Sequence, residues 1–444
     1  MKVIIVGGGN VGYIAADTIC DIHDVLVIEK DDQTAESVKS RLNVSVLHED
    51  GTNPKTLQYA LDTHGAEILI STLSEDSSNL FICMYAKSLS PDIKTVASIK
   101  NPDFMVGGSA GVDVLISPEV ITAKKMYRLA TLENAVDFEE VESLGLCIAI
   151  FAIEKWHEVV GQIVMDIDSS SGFAIFGVYR DDSLILEVDS LEIHPGDRVC
   201  VIGIPEGLEE FNRIVGVEEE NREFTILGGS ILGMILAKLL SEDSVRRYVK
   251  IIEKNHERCV ELSKNLNGVS IVNADYTEPE VQMQENVFKS DCTISTSHQD
   301  DTNLLMCMSA QKFNARKIVS RYFKKEYQDI FTFTGLESII GYHKIVSNEI
   351  TKCTISDEMA IIRLKNHNEL FFKHTVTPQS KLLNVRNGDI RMPPGIRIVA
   401  LRRTGVLSFP RLDERFQEGD EIIVFTNVTK ESELFKVFGK NLSE

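Results

Sequence analysis

Tryptophan occurs once in the 444 residues, at position 156, and the eight cysteines (20, 83, 147, 200, 259, 292, 307 and 353) include no CxxC pair. Zinc clusters and disulfide frameworks both need paired or regularly spaced thiols, so the pattern argues against both. Isolated cysteines of this kind read as small buried hydrophobes. No apolar run is long enough to cross a bilayer. The longest, "ILGGSILGMILAKLL" at 226–240, has 15 residues, among them three glycines and a lysine, against the roughly 18 to 20 apolar residues a span needs. Direct membrane insertion is therefore not expected. The N-terminal "MKVIIVGGGNVG" lacks the basic start, separate apolar region and cleavage site of a secretory signal, which predicts a cytoplasmic protein. Cationic side chains are in the minority, 46 against 67 acidic ones, for a net charge of −21. Such a surface repels nucleic acid and anionic lipid, and no local basic patch reverses it.

What is present is ordinary for folded, soluble domains: 43% hydrophobic and 25% charged residues. The length predicts two to four domains. "KVIIV" is a short continuous apolar run rich in β-branched residues, as in a buried parallel strand. After it, Val11, Ile14, Ala15, Thr18, Ile19 and Ile22 lie on one face of a helix. Between strand and helix stand Gly7, Gly8, Gly9, Asn10, Val11 and Gly12. Gly7, Gly9 and Gly12 form G-x-G-x-x-G: the first permits a tight turn, the second lets backbone approach a pyrophosphate, and the third lets helix pack on strand. The next apolar strand, "DVLVIEK" at 24–30, ends in Glu29. An acid there accepts hydrogen bonds from ribose hydroxyls and repels a 2′-phosphate, which favours NAD or adenosine nucleotides over NADP.

The pattern occurs twice. "FTILGGSILGMIL" at 224–236 is a second apolar strand running into Gly228, Gly229, Ser230, Ile231, Leu232 and Gly233. "YVKIIEK" at 248–254 answers "DVLVIEK", with Glu253 in the place of Glu29, and Asp275 answers Asp50. "ILISTLSEDSSNLFICMYA" (68–86) aligns without gaps to "CTISTSHQDDTNLLMCMSA" (292–310), sharing Ser71, Thr72, Asp76, Asn79 and Leu80 with Ser295, Thr296, Asp300, Asn303 and Leu304. The nearly constant offset marks duplication of one long unit, not an array of short repeats. Both units also end alike, in "IHPGDRVCVIG" (193–203) and "FQEGDEIIVFT" (416–426), where Gly-Asp turns into an alternating strand. The expected architecture is α/β. Two Rossmann-like, doubly wound parallel-sheet domains (1–134 and 223–352) are each followed by a small α+β domain (135–222 and 353–444).

This tandem order, with "LISPEVITAKKMYRL" (115–129) closing the first lobe, resembles the TrkA family of regulatory subunits of Trk-type potassium uptake systems, and more broadly the RCK/KTN domains that gate potassium channels and transporters. The resemblance covers essentially the whole chain. It implies a non-enzymatic ring of lobes, a homo-oligomer of two or four chains, held at the inner face of the cell membrane by a potassium-translocating subunit of the Trk type. It implies NAD(H) as ligand, with ATP or ADP at the same or the second site. It places Asp50 and Asp275 near the adenine, and Thr72, Leu73 and Thr296 beside the phosphates. Lobes of this family pair through the helix after the last strand, here Pro118 to Leu132. Two departures stand out. The basic residue that commonly follows the fifth strand is Ser98 in the first lobe and Arg321 in the second, and Ser230 replaces the close-approach glycine. An Arg fork offers charge-assisted hydrogen bonds that a serine lacks, so the two sites are expected to differ in affinity or ligand.

Two other readings compete. The fold also carries hydride transfer, so an NAD-dependent oxidoreductase with a duplicated Rossmann domain is the alternative. Of the ten histidines, His48, His64 and His298 lie near strand ends, and only His298 is expected to face a crevice. No duplicated position repeats a histidine, and no substrate-sized catalytic domain follows. A purely structural scaffold leaves both glycine loops without a use.

Overall fold

In the computed structural model, which describes residues 1–106, 111–141, 144–167, 172–181, 183–216, 221–354, 359–362, 369–410 and 413–427, "KVIIV" is β1 (Lys2–Val6). Its Val3, Ile4, Ile5 and Val6 are all fully buried, the condition of a strand covered by helices on both sides. The first lobe continues α1 (Asn10–Ile19), β2 (Asp24–Glu29), α2 (Asp32–Arg41), β3 (Ser45–His48), α3 (Pro54–His64), β4 (Ile68–Ser71), α4 (Asp76–Leu89), β5 (Lys94–Ser98), α5 (Asp103–Val106), β6 (Val114–Ile116) and α6 (Pro118–Thr131). The sheet is parallel, in the order β3-β2-β1-β4-β5-β6. Its direction of winding reverses between β1 and β4, and the crevice of a doubly wound sheet opens there, at the strands' carboxyl ends.

The first small domain holds β7 (Ala135–Val141), β8 (Leu146–Ala152), β9 (Phe173–Arg180), β10 (Ser183–Ile185), β11 (Arg198–Gly203) and α7 (Pro205–Val215). The second lobe repeats the first as β12 (Glu223–Leu227), α8 (Ile231–Ser241), β13 (Tyr248–Glu253), α9 (His256–Asn265), β14 (Val269–Asn273), α10 (Pro279–Gln284), β15 (Cys292–Ser295), α11 (Asp300–Lys312), β16 (Ile318–Tyr322), α12 (Gln328–Phe333), β17 (Ile339–Gly341) and α13 (Tyr342–Thr354). Its parallel sheet runs β14-β13-β12-β15-β16-β17, the same winding as before. The second small domain has β18 (Met359–Ile362), β19 (Glu369–Thr375), β20 (Ile396–Arg403), β21 (Val406–Ser408) and β22 (Glu421–Thr426). The end of the fourth expected domain, 428–444, lies outside the described residues.

Like pairs with like. One compact unit is Met1–Tyr127 with Arg222–Ile355, the two lobes; the other is Arg128–Asn221 with Ser356–Glu444, the two small domains. Within the lobe unit, alternate residues of β1 face opposite cores. Ile4 and Val6 meet Leu57, Ile82 and Cys83 of α3 and α4. Val3 and Ile5 meet Ala15, Ala16 and Ile19 of α1, together with Tyr342, Val346 and Ile350 of α13. The second lobe's last helix thus completes the first lobe's core, and Thr18 on α1 shares a 2.6 Å hydroxyl hydrogen bond with Ser347. In the converse direction, Tyr127 on α6 donates its hydroxyl to Asp243, just past α8. The helix after the last strand therefore pairs lobes of one chain.

In the small-domain unit two antiparallel sheets, β10-β9-β11-β8-β7 and β18-β19-β22-β20-β21, share a core. Phe176 lies 5.7 Å from Phe371 and 5.1 Å from Phe425, ring centre to ring centre. Each Gly-Asp turn buries its aspartate, Asp197 or Asp420, at 1% side-chain exposure against an arginine of the preceding long strand. Arg180 and Arg403 each donate Nε and Nη2 to the two carboxylate oxygens at 2.6 to 2.8 Å.

Candidate functional site

The carboxyl ends of β1 and β4 meet at the first glycine loop. Gly7 has φ +102°, a conformation that side chains other than glycine's resist. At Gly12 a Cβ would stand 1.8 Å from the Gly7 carbonyl oxygen and 2.7 Å from Thr72 Oγ1, so α1 contacts the loop through backbone alone. Gly9 is the opposite case: a Cβ there would meet nothing within 4 Å. It is the N-cap of α1, and no side chain caps that helix. First-turn N–H groups left without a side-chain acceptor carry the positive end of the helix dipole and suit an anion. Asn10 and Val11 open the helix, Asn10 exposed and Val11 against the α13-containing core.

The rim is held by a polar frame. Thr72 Oγ1 donates to the carbonyls of Val6 (3.2 Å) and Gly7 (3.0 Å), fixing the loop to the end of β4. Glu29 accepts from Gly8 N–H at 2.6 Å and from Asp31 N–H at 2.8 Å, so the acid expected at a ribose lies against the loop. Asp50 accepts from the N–H and hydroxyl of Thr52 at 2.9 and 2.7 Å, and these bonds hold its carboxyl below the usual carboxylate range. It is a turn residue in this structure. Leu73 donates its N–H to Asn79 Oδ1 (2.7 Å) and accepts from Nδ2 (3.0 Å), and the same Nδ2 donates to the Ser98 carbonyl (2.8 Å). Asn79 thus ties the ends of β4 and β5 together. Its repetition as Asn303, bonded to Ser295, Ser297 and Arg321, was visible in the sequence as an identity between the repeats.

Sequence reasoning also missed a cation. Ser98 holds the expected position, whereas Lys100, two residues on, donates Nζ to the Ser74 carbonyl at 2.9 Å and so puts an ammonium beside the β4–α4 loop.

The second loop keeps the frame and changes the contents. Gly228 has φ +103°, Gly229 N–H donates to Glu253 at 2.7 Å, and Thr296 Oγ1 donates to the carbonyls of Leu227 and Gly228 at 3.0 and 2.9 Å. Asp275 repeats the turn of Asp50, with Thr277 holding its carboxyl low. Ser230, however, accepts the Gly233 N–H at 3.3 Å and caps α8 itself. Ile231 and Leu232 open that helix, with Leu232 fully buried. Arg321, expected to reach a phosphate, is fully buried in an ion pair with Glu119 of α6 at 3.1 Å. Burial pulls its guanidinium below the ordinary value while Glu119 opposes. His298 lies 3.4 Å from Arg321 Nη2, and burial, then the Arg321 charge, lowers its pKa.

The remaining histidines named from sequence make backbone contacts: His48 Nε2 lies 3.1 Å from the Lys30 carbonyl and His64 Nε2 3.1 Å from that of Asp24. Among the described residues, no three His, Cys, Asp or Glu side chains group as a metal site, and no helix is long and apolar enough to cross a membrane.

Comparison with known proteins matches the TrkA-N domain family at residues 3–118 and 224–342, and the TrkA-C domain family at 148–216 and 371–439. A Trk system potassium uptake protein TrkA homolog 1 from Methanosarcina mazei is 26% identical, covering 99% of this chain and 100% of its own. The Trk system potassium uptake protein TrkA of Halomonas elongata is 24% identical, covering 96% and 95%. Among solved structures, the GsuK channel bound to NAD superposes with a TM-score of 0.65 at 18% identity, over 98% of this chain and 78% of that one.

Proposed function

The chain belongs to the TrkA family, with its N and C domains each present twice, and from that premise we propose that it is a nucleotide-responsive regulatory subunit of a potassium uptake system. The observation that carries the reading is the first crevice: an uncapped helix start, open at Gly9, beside an acid at the end of β2. Its N–H groups suit the negative oxygens of a pyrophosphate, Glu29 suits adenosine hydroxyls once it leaves the loop N–H, and Lys100 suits terminal phosphates. NAD(H), ATP and ADP all present that chemistry. The relatives spanning the whole chain are named for potassium uptake, and the GsuK channel structure is named for NAD.

What surrounds the crevice supports regulation over turnover. His48 and His64 sit against backbone carbonyls, and His298 is engaged with Arg321 of the second lobe. By contrast α1, whose N-terminus would take the phosphates, packs its far side on α13 of the other lobe. A ligand that shifts α1 therefore acts on a helix leading to the second small domain. Such coupling between sites amounts typically to about 1–3 kcal/mol. The subunit is cytoplasmic in this reading and works as a homo-oligomeric ring beneath a membrane subunit that supplies the ion path.

Calorimetry with NADH, NAD, ATP and ADP, beside a turnover assay with 2-hydroxy acids, tests the reading. Binding without turnover supports it. Hydride transfer, or no binding of any of the four, overturns it.

A further inference from the structure

The two crevices share a polar frame but differ at four positions bordering the loop. Where the first lobe has Gly51, the second has Tyr276, only 8% exposed. Its ring packs with Leu227, Ile252 and Phe331, and its hydroxyl lies 3.7 Å from where a Cβ on Gly228 would stand. No such side chain fits the first lobe, where a Cβ on Gly51 would fall 2.3 Å from Val6 Cγ1. Where the first lobe has open Gly9, the second has Ser230, whose hydroxyl takes up the Gly233 N–H. Where the first has Thr34, the second has Arg258, its Nε bonded to the Gly229 carbonyl at 2.5 Å. Where the first has Ser98, the second has Arg321, the largest fully buried side chain of the described residues.

Each nitrogen of the Arg321 guanidinium has a partner. Nη1 donates to Glu119 at 3.1 Å, Nη2 to the Thr296 carbonyl at 3.1 Å, and Nε to the Ser297 carbonyl at 3.4 Å, while the guanidinium carbon lies 4.5 Å from the centre of the Phe323 ring. The carboxylate comes from α6 of the first lobe. We propose that the second crevice is sealed by its own side chains, with Glu119 acting on Arg321 as the anion a ligand phosphate would otherwise supply, so that each chain takes one nucleotide, in the first lobe. An incoming phosphate would have to expel a carboxylate already desolvated on the arginine and move Tyr276 out of a packed core. The inference rests on the reading of the first crevice as a nucleotide site.

Two measurements on the full chain test it. Calorimetry with NADH should give one site per chain, and Gly9→Leu should abolish that binding, because the new side chain fills the open space without touching the fold. Hydrogen–deuterium exchange of the unmodified protein with saturating NADH should protect 7–12 and leave 228–233 unchanged. That second measurement needs no variant to fold. Two NADH per chain, binding that survives in Gly9→Leu, or new protection at 228–233 overturns the inference while the functional reading stands. An absence of binding overturns the functional reading and the first-lobe assignment with it.

Discussion

Replacing Glu119 with glutamine keeps the shape of the side chain and removes the only carboxylate, among the described residues, bonded to Arg321. At 3.1 Å, two unit charges attract by about 5 kcal/mol at an effective dielectric near 20. The net loss is smaller than that. The variant no longer desolvates a carboxylate, and Arg321 keeps its bonds to the carbonyls of Thr296 and Ser297. Breaking a buried pair costs about 3–5 kcal/mol because the remaining charge is left uncompensated; the two retained carbonyls put the expectation near the lower end. A double-mutant cycle with Arg321→Met isolates the pair: the double variant should be more stable than additivity of the two single changes predicts, by about 2 kcal/mol or more. The assay has a built-in control. The lone Trp156 lies in the small-domain unit, so its fluorescence reports that unit, while circular dichroism reports both. The loss should appear in the dichroism transition that Trp156 does not follow. A coupling below about 0.5 kcal/mol, the usual limit of additivity, would refute the claim that the carboxylate is what holds this arginine.

Other outcomes follow from the same contacts. Burial, then Arg321, depress the pKa of His298 in the fold, with Glu119 opposing and Lys100 adding to the effect. The unfolded chain then binds the extra proton, so stability is full above about pH 6.5 and declines as pH falls below it; His298→Gln should flatten that slope, and an unchanged slope would exclude the histidine as its source. Asp420→Asn should cost the small-domain unit about 3 kcal/mol, read by the Trp156 melt. Burial alone would raise the pKa of this carboxyl, but Arg403 and the Gln417 N–H hold it below the usual value, so its contribution is present above about pH 4 and lost below. The gap between Asp420→Asn and the unmodified protein should therefore narrow in acid; a constant gap would show that the charge is not what matters. Gly12→Ala, which forces a Cβ onto the Gly7 carbonyl, should destabilise by about 1–3 kcal/mol or more, whereas Gly9→Leu should melt within about 0.5 kcal/mol of the unmodified protein. Equal melting of the two would contradict the geometry of the loop.

The winding of both sheets and the position of both glycine loops could be read from sequence because their causes are local. Alternation of apolar runs with helical stripes, punctuated by Gly7, Gly9 and Gly12, is a statement about neighbouring residues. The use of Arg321 was not legible. Its place at the carboxyl end of β16 matched the expected phosphate ligand, but its partner stands 202 residues earlier on a helix of the other lobe, and no pattern local to either residue announces that pairing. Asp197 and Asp420 read as turn residues, correctly as far as backbone goes. Their burial against Arg180 and Arg403 depends on a strand 17 residues before each. The use of Lys100 was not legible for a simpler reason: it stands two residues past Ser98, the position expected to be basic at the end of β5. Asn79 and Asn303 stand in the sequence as an identity between the repeats, and that identity is itself the signal of a shared structural task.

Duplication lets one copy keep a demanding backbone while the other relaxes it. A phosphate-accepting loop needs a helix start without side-chain cap and a bare approach, both of which leave N–H groups that the protein itself does not satisfy. In the first lobe that requirement persists at Gly9. In the second, Ser230 satisfies the helix, Tyr276 fills the edge of the sheet, and Arg321 draws its anion from the neighbouring lobe. Each change favours the ligand-free fold of the second lobe, and the last also ties it to α6 of the first. On the proposed reading, a ligand in the first crevice would act on α1, which packs against α13 of the second lobe.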